Sequence, residues 1–216
     1  MQEAYIVAGY RTAVGKAKRG GFRFFRPDDL AIEVIQGLLN SVPVLDKNLV
    51  DDVIVGNAVP EAEQGLQVGR IIAARAIGYD VPGMTVNRYC ASGLETIAIA
   101  TAKIRMGMAE CIIAGGTESM SMVPTAGWKT VPAYSIAKDD PDYYLSMGLT
   151  AEAVAKEYNV SRQDSPSELG QTLGDLHAWL AEESCLECFG HAQIDGRQIC
   201  IEYVGVYNVY SLGQAQ

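Results

Sequence analysis

The 216-residue chain is 49% hydrophobic and 20% charged, which gives it length for one large domain with a substantial core and excludes disorder over most of its extent. A formal net charge of -9 argues against general affinity for nucleic acid or anionic lipid, both of which need a positive surface field. No apolar run approaches the ~20 residues that cross a bilayer, and five cysteines without a secretory leader ahead of them read as reduced thiols.

Met1 to Val7 lacks a basic n-region and an apolar h-region, so a cytoplasmic protein is expected. Ala4 to Gly9 reads as a short buried strand. No acidic residue stands between Glu3 and Asp28, where Arg11, Lys16, Lys18, Arg19, Arg23 and Arg26 accumulate among glycines. This basic loop is either a solvated segment or a contact for a phosphorylated ligand or an acidic partner subunit. Pro27-Asp28-Asp29 opens an amphipathic helix through about Leu39, its acidic residues set against the positive helix end.

Val50 to Val55 reads as a strand ending at Gly56, and Gln67 to Ile77 as a helix stopped by Gly78. Thr85 to Tyr89 is a strand, Ala91 to Met106 a helix, and Glu110 to Ala114 a strand closed by Gly115-Gly116. Strands alternating with helices predict an α/β layered fold with a mostly parallel sheet covered on both faces. From Thr117 to Leu149 the pattern breaks into Ser, Met, Pro, Gly, Asp and Tyr, a long excursion of the kind that carries function. Helical spacing returns over Leu149 to Tyr158, with Ala151, Val154 and Ala155 on one face.

Cys90 stands where the strand through Tyr89 gives way to the helix. Ligands of parallel sheets meet the carboxyl ends of strands, and a helix N-terminus favours a thiolate, the form that attacks carbonyls. Ala91, Ser92 and Gly93 leave the sulfur open to an acyl thioester. The other reading is a buried cysteine acting as a small hydrophobe. Cys111, inside Cys111-Ile112-Ile113-Ala114, reads as strand core. Met120 and Met122 read as packing residues, with an acyl channel as the alternative.

Over residues 2–164 these motifs resemble, in one continuous register, the N-terminal half of a thiolase. The resemblance is carried by Tyr5-Ile6-Val7-Ala8-Gly9-Tyr10-Arg11-Thr12 with Gly15-Lys16, and by Val86-Asn87-Arg88-Tyr89-Cys90-Ala91-Ser92-Gly93. Ala114-Gly115-Gly116-Thr117-Glu118-Ser119-Met120-Ser121 and Met147-Gly148-Leu149-Thr150-Ala151-Glu152 complete it. It implies a domain over 1–164 of βαβαβαβ type with a mixed, mostly parallel sheet, and a loop excursion over about 117–149. It implies that Cys90 takes an acyl group in a ping-pong exchange with coenzyme A. Acyl-CoA and CoA would be the partners, with no permanently bound cofactor or metal and a homo-dimer or tetramer as the assembly. Tyr89 and Leu94-Glu95-Thr96 look closer to the degradative 3-ketoacyl-CoA thiolases of fatty acid β-oxidation. The family places Met147 beside the acyl pocket, preceded here by Ser146 where many relatives carry histidine.

Family members also use a histidine in a Gly-His-Pro context and a second cysteine near a glycine-rich stretch. The histidines here are His177 and His191, the latter in Gly190-His191-Ala192, and neither takes that role. Losing such groups costs ~10²–10⁴ in rate apiece, so poor turnover by this chain alone is expected. After Ser161-Arg162-Gln163-Asp164 the resemblance stops, leaving 165–216 as a divergent tail. A shifted reading frame is the favoured explanation and a genuine module the other. Within the tail, Leu169, Leu173, Leu176 and Leu180 recur near helical spacing, and Asp195-Gly196 between Ile194 and the run Ile199 to Tyr210 predicts a hairpin. Cys185, Cys188, His191 and Cys200 offer zinc-favoured types at a spacing only partly right for a structural site. Three other functions compete: a non-catalytic thiolase remnant; a ketoacyl-synthase-like condensing enzyme, against which the glycine turn and Met147-Gly148-Leu149-Thr150-Ala151-Glu152 speak; and a simple redox or metal-binding protein, supported by the cysteine-rich tail alone.

Overall fold

A computed structural model describes residues 3–13 and 15–161 and, in the later chain, the backbone of strands at 192–194, 197–199, 201–202 and 204–210. The elements run β1 (Tyr5–Arg11), β2 (Gly15–Lys16), α1 (Pro27–Ser41), β3 (Asp52–Gly56), α2 (Val68–Ala76), β4 (Gly83–Val86), α3 (Ser92–Arg105) and β5 (Cys111–Thr117). They continue with α4 (Tyr134–Asp139), α5 (Met147–Glu157), β6 (Ala192–Ile194), β7 (Arg197–Ile199), β8 (Ile201–Glu202) and β9 (Val204–Tyr210). Among the described residues, 3–128 with the late strands form one compact unit and 129–161 another.

The main sheet has the order β1-β9-β5-β3-β4. β3 runs parallel to both β4 and β5, whereas β9 is antiparallel to β5 and β1. Strand periodicity divides its side chains between two cores. Val53, Val55, Cys111 and Ile113 pack with α1 and α2, while Ile54, Ile112 and Ala114 pack with Ala100 and Ile104 of α3. The result is the expected α/β layered sandwich, with helices on both faces of a mixed sheet. All five residues of β3 are buried.

Local chemistry sets the helices. Proline in the first turn of α1 has a fixed φ suited to that position and lacks an N–H the helix end could not have paired. Leu30, Ala31, Val34, Ile35 and Leu38 then fall on one buried stripe. Asp28, 6% exposed, accepts two 2.9 Å bonds from the Arg26 guanidinium. α2 lies so close to β4 that a Cβ on Gly69 would stand 2.2 Å from the Met84 carbonyl oxygen. Only glycine fits there.

Four expectations change. β1 is the edge strand of the sheet, so Ile6 is 58% exposed rather than buried. β4 ends at Val86 instead of Tyr89, and the next four residues make a turn. Gly115 and Gly116 extend β5 rather than close it, pairing with Val55 and Gly56 on one side and with Val206 and Gly205 on the other. The excursion contains α4 and a 3-10 turn over Pro141–Tyr144, and α5 starts at Met147 because Ser146 caps it.

In the late chain, Ile194 pairs with Arg197 where the hairpin is expected. β9, beyond the reach of the sequence resemblance, sits in the interior of the main sheet. Through it β1 joins the other strands: Tyr10 and Gly115 both pair with Val206. The leucine repeat at 169–180 lies outside the described residues.

Candidate active site

β4 and α3 are joined by Asn87, Arg88, Tyr89, Cys90 and Ala91, and hydrogen bonds fold this link sharply. The Ala91 N–H donates to the Arg88 carbonyl at 3.1 Å and the Ser92 N–H to the Tyr89 carbonyl at 3.0 Å. The Ser92 hydroxyl donates to the Tyr89 carbonyl at 2.6 Å and accepts from the Arg88 N–H at 2.8 Å. Tyr89 has φ +46°, a left-handed conformation costly for a residue with a Cβ. Its N–H is satisfied by Asn87 Oδ1 at 2.9 Å. Cys90 follows, exposed, one residue before the α3 N-cap Ala91. Cys90 is thus an exposed thiol rather than a buried small hydrophobe, while Cys111 is 1% exposed and is strand core, as read from the sequence.

α3 is brought to this position by small residues. Ser92, Thr96, Ala100 and Ile104 form its buried stripe. Thr96 Oγ1 donates to the Gly93 and Gly115 carbonyls at 2.6 and 3.2 Å, tying the first turn to β5. Arg88 and Glu95 close a 2.8 Å ion pair beside the turn.

Beneath the turn lies a polar cluster that sequence reasoning missed. Glu118, just past β5, is partly buried and accepts from the Ala58 N–H at 2.7 Å, Gln64 Nε2 at 2.7 Å and Asn57 Nδ2 at 3.3 Å. Burial raises its carboxyl pKa above the ordinary value of 4.5, and these hydrogen bonds, with the Val59 backbone, pull the other way. Gln64, wholly buried, also donates to the Val59 carbonyl at 2.8 Å and accepts from the Ser119 N–H at 2.5 Å. Asn57, 1% exposed, donates to the Thr117 carbonyl at 2.8 Å, and its Oδ1 has no protein partner among the described residues. The available signal was Glu118 directly after a strand of small and apolar residues, at the carboxyl edge of the sheet.

Of the other candidate residues, Ser146 and Met147 lie in the second unit. Ser146 caps α5, its Oγ accepting from the Leu149 N–H at 3.4 Å, and Met147 is exposed. In the basic loop, Arg26 is committed to Asp28, and Arg23 stacks 4.5 Å over the Phe24 ring while donating to the Gly20 carbonyl. Met120 and Met122 are partly buried. Among the described residues no group of three or more His, Cys, Asp or Glu could hold a metal ion. Cys185, Cys188, His191 and Cys200 lie outside the described residues. No described helix is long and apolar enough to cross a membrane.

A mixed sheet covered by helices on both faces, with an exposed cysteine at a strand-to-helix turn on its carboxyl edge, defines a layered α/β protein with an accessible thiol where ligands of such sheets bind. Residues 4–166 match the family described as Thiolase, N-terminal domain, and the chain belongs to the thiolase family. It is 52% identical over 165 residues to the 3-ketoacyl-CoA thiolase of Bacillus subtilis (strain 168), covering 76% of this chain and 42% of that protein. It is 39% identical over 164 residues to 3-ketoacyl-CoA thiolase 5, peroxisomal, of Arabidopsis thaliana, covering 74% and 35%. Against the beta-ketoadipyl-CoA thiolase of Acinetobacter baylyi (strain ATCC 33305 / BD413 / ADP1) the identity is 37% over 184 residues, covering 76% and 45%. The chain thus spans about two fifths of the length of the curated relatives it matches.

Proposed function

We propose that this chain provides the acyl-accepting part of a thiolase site, with Cys90 as the nucleophile toward acyl-CoA substrates. The Cys90 thiolate adds to the 3-keto carbonyl of a 3-ketoacyl-CoA. The C2–C3 bond breaks, the acyl group stays on sulfur as a thioester, and the electron pair leaves on C2 of acetyl-CoA, which takes up a proton. The thiolate of free CoA then attacks the acyl-cysteine carbonyl, releasing acyl-CoA and restoring the Cys90 thiolate. In reverse, the same steps form a carbon–carbon bond by Claisen condensation. No residue of this chain is assigned either proton transfer.

The observation that carries this reading is the exposed Cys90 held by a strained turn at the entrance to α3, inside the stretch that matches the family. The names of the relatives support 3-ketoacyl-CoA substrates, and the place in fatty acid β-oxidation rests on the likeness of Tyr89 and Leu94-Glu95-Thr96 to the degradative members. On the same resemblance Ser146 and Met147 belong to the substrate pocket, and the working assembly is a homo-dimer or tetramer.

Intact-mass analysis after brief incubation with acetoacetyl-CoA, run beside Cys90→Ser, tests the proposal. An acetyl adduct on the unsubstituted chain alone supports it. A folded protein that gains no adduct is a thiolase-derived scaffold without catalysis.

A further inference from the structure

We propose that Glu118 is a positioning residue for Cys90, acting across Ala58 and through Asn87; the proposal rests on the reading of Cys90 as the nucleophile. The contacts form one unbroken line. Glu118 Oε2 accepts from the Ala58 N–H at 2.7 Å. On the other side of the same residue, the Ala58 carbonyl accepts from Asn87 Nδ2 at 2.9 Å. Asn87 Oδ1 in turn accepts from the N–H of Tyr89, the left-handed residue bonded to Cys90.

Each link answers a physical demand. A turn with a tyrosine at φ +46° persists only where its surroundings over-determine it. Asn87 supplies that constraint on the turn but is itself an exposed side chain, and an exposed amide is a poor anchor unless its other end is fixed. The other end is fixed on Ala58. Ala58 has a short side chain that anchors nothing, so its place is set by its two peptide groups. Glu118 takes one of them, and a carboxylate is the stronger acceptor. Gln64 and Asn57 hold the carboxylate from the same loop, and Gln64 reaches back to the Ser119 N–H. The cluster also costs solvation, since Glu118 is partly buried with no cationic partner among its described contacts. Placed directly below the turn, that cost makes sense as support for the site.

The test measures alkylation of Cys90 by iodoacetamide in the full chain, read by peptide mass spectrometry with buried Cys111 as the internal reference. Glu118→Ala and Asn87→Ala are each expected to slow Cys90 by about tenfold, the scale on which a small misplacement of a reacting group acts. Because both act through Ala58, the double variant should fall within about twofold of the slower single one instead of multiplying their effects. Glu118→Gln keeps an oxygen for the Ala58 N–H while setting its amide against that of Gln64. It should melt lower yet alkylate within about twofold of the unsubstituted rate.

A purely structural Glu118 would show the opposite split, with Gln and Ala variants losing stability together and Cys90 reacting at its original rate in the folded fraction. That result overturns the proposal, as does a multiplicative double variant. Should Glu118→Ala fail to fold, Asn87→Asp decides. It keeps the acceptor for Tyr89 and loses the donor to Ala58, so unchanged alkylation there is equally fatal. Alkylation needs no acyl-CoA. A protein showing this pattern yet never acylated would sink the functional reading and leave the positioning line standing.

Discussion

A Cβ atom on Gly56 would lie 2.7 Å from the carbonyl carbon of Ser92 and 2.9 Å from the nitrogen of Gly93. The last residue of β3 is thus the floor on which the first turn of α3 rests, and the position of Cys90 depends on there being no side chain beneath it. On the neighbouring strand β5, a Cβ added to Gly116 would meet the Gly56 carbonyl oxygen at 3.1 Å.

Gly56→Ala should therefore displace the start of α3. The expected cost is about 1–3 kcal/mol, typical of overpacking against atoms that cannot rotate away. Urea denaturation measures it, and iodoacetamide labelling of Cys90 should change in the same variant. An unchanged unfolding midpoint would mean that α3 does not rest on β3.

Val206→Pro addresses the late strand. β9 pairs with β1 on one side and β5 on the other, and an interior strand cannot lose an N–H or accept a proline ring without breaking its ladder. A loss of at least about 1–3 kcal/mol is expected from the backbone partner left unsatisfied, with β1 released from the sheet. Thermal unfolding followed by circular dichroism measures it. A variant as stable as the parent would show that residues 204–210 do not bind the sheet together.

Much of this arrangement was legible in the sequence, because a period of two or 3.6 is a local property. Pro27 with Asp28 and Asp29 marked the start of α1, and the family motifs marked Cys90. The misreadings at Val7, Gly115, Gly116 and Glu118 share one cause: they depended on long-range contacts. Gly115 and Gly116 resemble a strand terminator, yet both continue β5, pairing with Val55 and Gly56 of β3. Val7 looks like core, but the sheet order leaves β1 at an edge. Glu118 is one acidic residue among many until the fold brings Ala58 to it from 60 positions away. The hairpin around 194–197 was readable from its turn signal, while the insertion of β9 between β1 and β5 was not.

The titration of Glu118 gives a pH signature. Burial raises its folded pKa above the unfolded value near 4.5, so the unfolded chain releases this proton first as pH increases. Its contribution to stability is fully present below the unfolded value and is lost as pH rises through the folded one. Glu118→Gln cannot titrate there. The stability of the unsubstituted chain relative to that variant should fall as pH rises from 4.5 and level off above the folded value. Chemical denaturation over a pH series measures the difference. A difference that grows with pH would contradict the assignment.

The central claim, that Cys90 accepts acyl groups from CoA, is tested most directly by offering the folded chain acetyl-CoA. This asks only for thioester exchange, in which the Cys90 thiolate takes the acetyl group and CoA leaves as its thiolate. Peptide-level mass spectrometry, with hydroxylamine to cleave thioesters, reads the outcome. A hydroxylamine-labile acetyl group on Cys90, absent from Cys111 and lost when the chain is first unfolded in urea, is the expected result. Equal labelling of folded and unfolded chains, or none on Cys90, would contradict it.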